Sequence, residues 1–437
     1  MIVARYFVRP MMLVGMIAGL SGCIETPPVP DMRNAVTASG AASVAVPFIL
    51  DDNRVYVEVA FVKHDGSLRK TLAFVNMGSG SFVLTNTLYR ELDVGKGDPL
   101  HVELGGMDIA VDAAAVQPET MANSIAIQID PFSKRKSAAA AAESPDSEQA
   151  GFAAPMIAEA ILPPGFLEHF SVVFDYGTKT MTLAAPGTVK PDGVAVPIRV
   201  NPQTGFAVLD VTVDGKAHPA VLDDGGSYGI VSNVIAADWL GAHPGWLRSE
   251  GGVGESNLTM GAVDVGAPVL KIPDVEIGAL KLDAWGTISP SMPGLLGGVA
   301  ERLFWNWYSE KAGERVEGAI CGNTLKSFRL TLDYAGRMSY WQQEAPLDAH
   351  DLDQVGLTLI RTNGVAVVGG IAKKDGVETV SGVQPGDKLI QIDDLKAASL
   401  TRGALLSALH GMPGTRKHLV LERDGKTIEV DAVVTAF

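Results

Sequence analysis

Two stretches of this chain repeat one another, and a repeat of whole-domain length constrains the fold more than any single motif. Residues 72–84 and 220–231 each read as an apolar strand, an acid or amide, a glycine turn and a second apolar strand. The first turn is Asn76-Met77-Gly78 and the second is Asp223-Asp224-Gly225. A later pair, residues 165–176 and 323–334, sets Leu167, Phe170, Asp175 and Tyr176 in register with Leu325, Phe328, Asp333 and Tyr334. The turns are offset by 223 − 76 = 147 residues and the later pair by 328 − 170 = 158. Two signals at nearly one offset predict a duplicated domain with a small insertion in the second copy.

Composition agrees with packed β-structure. The chain has 437 residues, enough for two or three domains, with 47% apolar and only 19% charged residues. Its 48 glycines suit many turns between short strands. A net charge of −15 excludes nucleic acid as an electrostatic partner. No two of the eight histidines stand at helical ligand spacing, so neither a metal site nor a cofactor is expected.

The repeated pattern resembles the retropepsin-like aspartic peptidases, in the bacterial form that carries a C-terminal PDZ domain. In that family a strand ends in Asp-Thr-Gly, and a late apolar segment with Leu, Phe and Asp-Tyr closes each lobe. Here Ile320-Cys321-Gly322 precedes Leu325, and Ile161-Leu162-Pro163-Pro164 precedes Leu167. The resemblance spans roughly residues 45–437. It implies a mainly β fold of two tandem pepsin-type β-barrel lobes, residues 45–187 and 193–343, followed by a PDZ domain at 350–437. It also implies a catalytic site built from Asp223 and the degenerate Asn76, held by Gly78 and Gly225. Neither turn keeps the family's Thr, whose hydroxyl braces one turn against the other.

The N-terminus reads as a processing signal over residues 1–22. Arg5 and Arg9 precede a short apolar run, and Leu20-Ser21-Gly22-Cys23 resembles a bacterial lipobox. Cys23 is the expected lipidation site, and residues 23–44 are expected to form a tether. The protein is then a membrane-anchored lipoprotein of the bacterial envelope, periplasm-facing or in the outer membrane. Cys321, left without a partner, is expected to be a buried small hydrophobe.

Residues 350–437 carry Gly382-Val383-Gln384-Pro385-Gly386-Asp387, which resembles a PDZ signature. That resemblance assigns Gly356, Leu357, Thr358 and Leu359 to a carboxylate-binding loop, with residues 401–409 as the groove helix. Peptides or protein C-termini are the partners it implies, held by strand addition. Two further segments invite roles. Residues 251–256 are glycine-rich and stand at flap distance from the second turn, as a flap or an ordinary loop. Residues 303–308, Leu-Phe-Trp-Asn-Trp-Tyr, suggest a short amphipathic helix that caps the groove, meets a partner or packs on the lobe.

Aspartic peptidases need two carboxylates that share a proton. An Asn76 amide hydrogen-bonds but does not titrate. Asp224 follows Asp223 directly and is expected to point away from Asn76. The reading is therefore a catalytically degenerate protein that acts by binding peptides. The alternatives are an active endopeptidase that pairs Asp223 from two chains in a homodimer, and a non-catalytic envelope scaffold.

Overall fold

The two halves of the chain meet in one antiparallel sheet. The computed structural model describes residues 31–95, 97–119, 158–255, 257, 265–290, 297–362 and 365–437. The signal at 1–22 and Cys23 lie outside the described residues. The meeting sheet runs Val194–Pro197, Met338–Gln343, Phe328–Asp333, Ser171–Asp175, Thr180–Ala184, Ser43–Asp51. Its first three strands come from the second half and its last three from the first, in mirrored order. Alternation dictates which face is inward: in Ser43–Asp51, Val44, Val46 and Phe48 are buried while Ser43, Ala45 and Pro47 are exposed.

At the centre of this sheet, Val173 pairs with Thr331, and 331 − 173 = 158 is the offset of the sequence repeat. The register is reciprocal, because Ser171 pairs with Asp333 while Asp175 pairs with Arg329. Equivalent residues that meet one another define a pseudo-two-fold axis. Each half also repeats the same local weave. Leu68–Val75 runs parallel to Ala158–Leu162, which pairs antiparallel with Phe82–Leu84. Lys216–Leu222, Gly318–Ile320 and Gly229–Val231 do the same in the second half. The structure is thus mainly β.

Two hairpin tips follow from turn chemistry. Asp214-Gly215 has positive φ at both residues, as the Asp-Gly pair predicts. Asp52-Asn53 does likewise between Ser43–Asp51 and Arg54–Val62, and this tip reaches across to the rest of the molecule. The expected tether is shorter than read from sequence. Residues 36–40 form a strand on Met107–Val111, and Met32 is buried. The small polar residues around them hid an edge strand whose apolar anchors, Met32, Ala35 and Val36, fill the first-half core.

The last part of the chain has its own core, from Val355 to Val434, under strands Leu357–Thr362, Val365–Ile371, Lys388–Ile392, Arg416–Arg423 and Lys426–Val433. Helix Arg402–Leu409 starts at Thr401, whose hydroxyl accepts from the Ala404 N–H. This unit is sewn to both halves. Thr401 donates to the Asp51 carboxylate, and the Gly403 N–H donates to it at 3.0 Å. Arg402 pairs with buried Asp52 at 3.3 Å, and Asp52 also pairs with buried Arg54. On the second half, Tyr228 Oη lies 3.2 Å from His410 Nε2.

His410 carries a pH signature. Burial, helped by the charge of Lys326, holds its pKa down at about 4. The unfolded chain binds a proton below the ordinary value of about 6.5, while the folded chain does not until about 4. Its contribution to stability is therefore present above pH 6.5 and is lost as pH falls towards 4. His410→Gln keeps an acceptor for Tyr228 and cannot protonate. Urea melts across pH 4 to 7 should show the wild type losing about 2 kcal/mol relative to this variant on acidification.

Candidate active site

The two glycine turns face each other across the pseudo-two-fold axis. A Cβ placed on Gly78 would collide with the Asp223 carboxylate, and one on Gly225 would collide with the Asn76 amide. These close approaches are why both turns require glycine. The expected pair, Asn76 and Asp223, is therefore brought together within one chain. Each is positioned alike: the Asn76 N–H donates to Leu162 O and the Asp223 N–H to Ile320 O, both at 3.0 Å. Asn76 Oδ1 accepts from the Gly78 N–H at 2.9 Å, and Asp223 Oδ1 from the Gly225 N–H at 2.7 Å.

Asp224 holds the turns together. Its Oδ1 accepts from the Met77 N–H of the opposite turn at 2.7 Å. It is fully buried, and burial raises its pKa well above the carboxylate range. A protonated carboxyl has an acceptor oxygen and an O–H donor, the same capacities as a hydroxyl. The brace expected to be missing is thus half present. Met77, the equivalent residue, contributes only its N–H, and its thioether side chain is buried.

Asp223 is covered by a group the sequence reading did not assign. Helix Gly297–Ala312 lies over the second turn, and Tyr308 donates from its hydroxyl to Asp223 Oδ2 at 2.6 Å. Of the roles open for residues 303–308, packing on the lobe is observed, and Tyr308 also covers Asp223. Tyr308 packs edge-on against Phe206, with ring centroids 5.8 Å apart, in a cluster with Val208, Ile230 and Cys321. Cys321 is the buried hydrophobe expected of it. The helix end is fixed by Thr204 and Asn201, whose side chains donate to Lys311 O at 2.7 and 2.9 Å. The Lys311 stem lies beside Gly80 of the first half. The aromatic cluster was visible in the sequence, but nothing there linked Tyr308 to a turn 85 residues earlier.

The electrostatics of Asp223 follow from this cover. Burial raises its pKa, against the opposing pull of the Tyr308 hydroxyl, the Gly225 N–H and the Arg54 charge. Arg54 acts from the hairpin tip, where its Nε donates to Gly225 O at 2.7 Å. Hydroxyl, amide and carboxyl meet here around one titrating group where an acid–base pair needs two.

The other predicted residues lie elsewhere. Gly356 to Leu359 sit at the start of strand Leu357–Thr362 in the last unit. The glycine-rich segment proposed as a flap is not over the turns. Its Gly254–Glu255 strand pairs with Thr358 and Leu359 instead. Its glycines adopt positive φ and fit against the last unit, which the sequence pattern alone does not reveal.

No protein-family model and no curated protein matches this chain. Among solved structures it is similar to basic 7S globulin from soybean, with a TM-score of 0.37 and 8% identity, over 70% of this chain and 96% of that one. A likeness this distant supports no statement about activity.

The raised pKa of Asp223 yields a sign. A carboxyl whose folded pKa lies above its unfolded value stabilises the fold below the unfolded value, and that contribution is lost as pH rises through the folded one. Asp223→Asn removes the charge, keeps one oxygen to accept from the Gly225 N–H and turns its amide NH2, a donor, to the Tyr308 oxygen. Thermal melts should place it above wild type at pH 7 by on the order of 1 kcal/mol, with the gain vanishing near pH 3. An equal gain at both pH values would show that the carboxyl is not the source.

Proposed function

We propose that this chain is a catalytically degenerate protein of the retropepsin-like aspartic peptidase type, acting by binding peptides rather than cleaving them. The observation that carries this reading is Asp223 facing the non-titrating Asn76, under the Tyr308 hydroxyl. A water activated by Asp223 has no second acid to polarise a scissile carbonyl. The homodimeric dyad is the weaker alternative, because the place opposite Asp223 is filled by the first-half turn of the same chain.

Binding falls to the last unit, read as a PDZ domain that receives an extended peptide on strand Leu357–Thr362 beside helix Arg402–Leu409. Gly356 leads into that strand with φ of +90°. The lipobox-like Cys23 supports a lipid-anchored place in the bacterial envelope, so the clients would be envelope peptides or protein C-termini.

Turnover of a mixed peptide pool between pH 4 and 6 tests the degenerate reading. Wild type and Asp223→Asn should both stay at background. Asn76→Asp adds the second carboxyl, but the Tyr308 hydroxyl still occupies Asp223 Oδ2, so the double variant Asn76→Asp/Tyr308→Phe should gain more activity than Asn76→Asp alone. Wild-type turnover that Asp223→Asn abolishes would overturn the proposal.

A further inference from the structure

The groove proposed for peptides is not empty. Gly254 and Glu255 run parallel to Thr358 and Leu359 as an added strand. Upstream, the Gly252 N–H donates to Thr358 Oγ1 at 3.0 Å. Val253 is buried in a cluster that joins Tyr228, Ala267, Val269 and Ile288 of the second half to Leu352, Ala372, Leu406 and Phe437 of the last unit or its flank. The side opposite the strand is helix Arg402–Leu409, and a Cβ on Gly254 would collide with Leu406 of that helix. A segment of the second half thus lies between strand and helix, where an extended peptide would lie.

This occupant is a poor one by its own chemistry. It covers two residues of a six-residue strand edge among the described residues. Gly251, Gly252 and Gly254 have φ of +79°, +84° and +73°, outside regular β geometry. Ordering glycine costs more chain entropy than ordering any other residue. A covalently linked segment tolerates this weakness, because its effective concentration is high. A free peptide in regular extended form would meet the same edge without glycines at positive φ.

We propose that residues 252–255 are an internal ligand of the last unit, displaced by an extended peptide that carries a small uncharged residue against Leu406. The proposal rests on the peptide-binding reading of that unit. The displacement also reaches the candidate active site. Asn257 follows the internal ligand, and its side chain accepts from the Tyr228 N–H at 2.7 Å and donates to Tyr228 O at 3.1 Å. Arg54 donates to the Asn257 carbonyl and, at 2.7 Å, to Gly225 O in the Asp223 turn. Moving the segment therefore removes a clamp from Tyr228 and one acceptor from Arg54.

The test uses the full chain and, as probe, a fluorescent, end-blocked peptide with the chain's own residues 250–257. Gly254→Val drives a branched side chain into Leu406, and Gly252→Ala places a methyl against Ala372. Both variants eject the internal segment and leave the groove residues intact. Each should bind the probe at least tenfold more tightly than wild type. Hydrogen exchange should show residues 357–360 protected in wild type, exposed in the variants and protected again with probe. At saturating probe, the Tyr228 amide of wild type should lose protection.

Equal probe affinity in wild type and variants, with 252–255 protected throughout, would overturn the internal-ligand inference and leave peptide binding standing. Exposure of 357–360 in the variants without probe binding would overturn the internal-ligand inference, and failure of the same variants to bind a free-acid peptide with an apolar last residue would overturn the peptide-binding reading itself. An unchanged Tyr228 amide during displacement would overturn the coupling. Urea melts select the variant that retains a cooperative transition, so a folding defect in one does not decide the outcome.

Discussion

The pairing of Ser171–Asp175 with Phe328–Asp333 is the constraint on which the rest of the structure depends. Every other relation between the halves follows from it. Because the register is reciprocal about Val173 and Thr331, the two glycine turns have to arrive at the axis from opposite sides. Their mutual close approach, glycine to side chain in both directions, is the local result. A shift of one residue in that pairing would turn every side chain of one central strand to the other face of the sheet. It would also part the turns, so the buried contact between Met77 and Asp224 reports on a register set by other strands.

Within that frame the two halves have diverged in what they bury. The first half presents an amide and a thioether at its turn, groups that burial does not ionise. The second half buries two adjacent carboxyls, Asp223 and Asp224, and burial raises the pKa of both. One, neutralised by burial, takes a structural role on the opposite backbone. The other is satisfied from above by a phenol. The second half thus stores an unfavourable arrangement that the first has shed, and helix Gly297–Ala312 is what shields it from water.

The sequence made the duplication legible because both copies carry their anchors at constant spacing: the turn residues, Phe170 with Phe328, and Tyr176 with Tyr334. The repeat offset of 158 reappears as a strand register, so long-range pairing was readable from internal similarity alone. The juxtaposition of Asn76 and Asp223 followed from the same argument. What sequence patterns could not reveal depends on single contacts between distant elements. Tyr308 reads as one aromatic among several on a helix. Asp224 reads as a residue that does not replace Asn76, which is silent on the N–H it meets. The glycine-rich segment reads as a flap or an ordinary loop, because positive φ at glycine serves a turn and a tight docking equally well. The edge strand before residue 45 was missed because its alternation is interrupted by exposed small polar residues.

The hairpin tip at Asp51 to Arg54 has a consequence for the order in which this molecule is built. Its partner Thr401 lies 350 residues away along the chain. Until helix Arg402–Leu409 exists, Asp52 lacks Arg402, and the Asp51 carboxylate lacks both the Thr401 hydroxyl and the Gly403 N–H. Closing a loop of that length gains nothing until both ends are formed. The seam therefore closes only once both of its ends exist, and docking of the last unit takes this charge cluster out of water as it ties the hairpin tip to helix Arg402–Leu409.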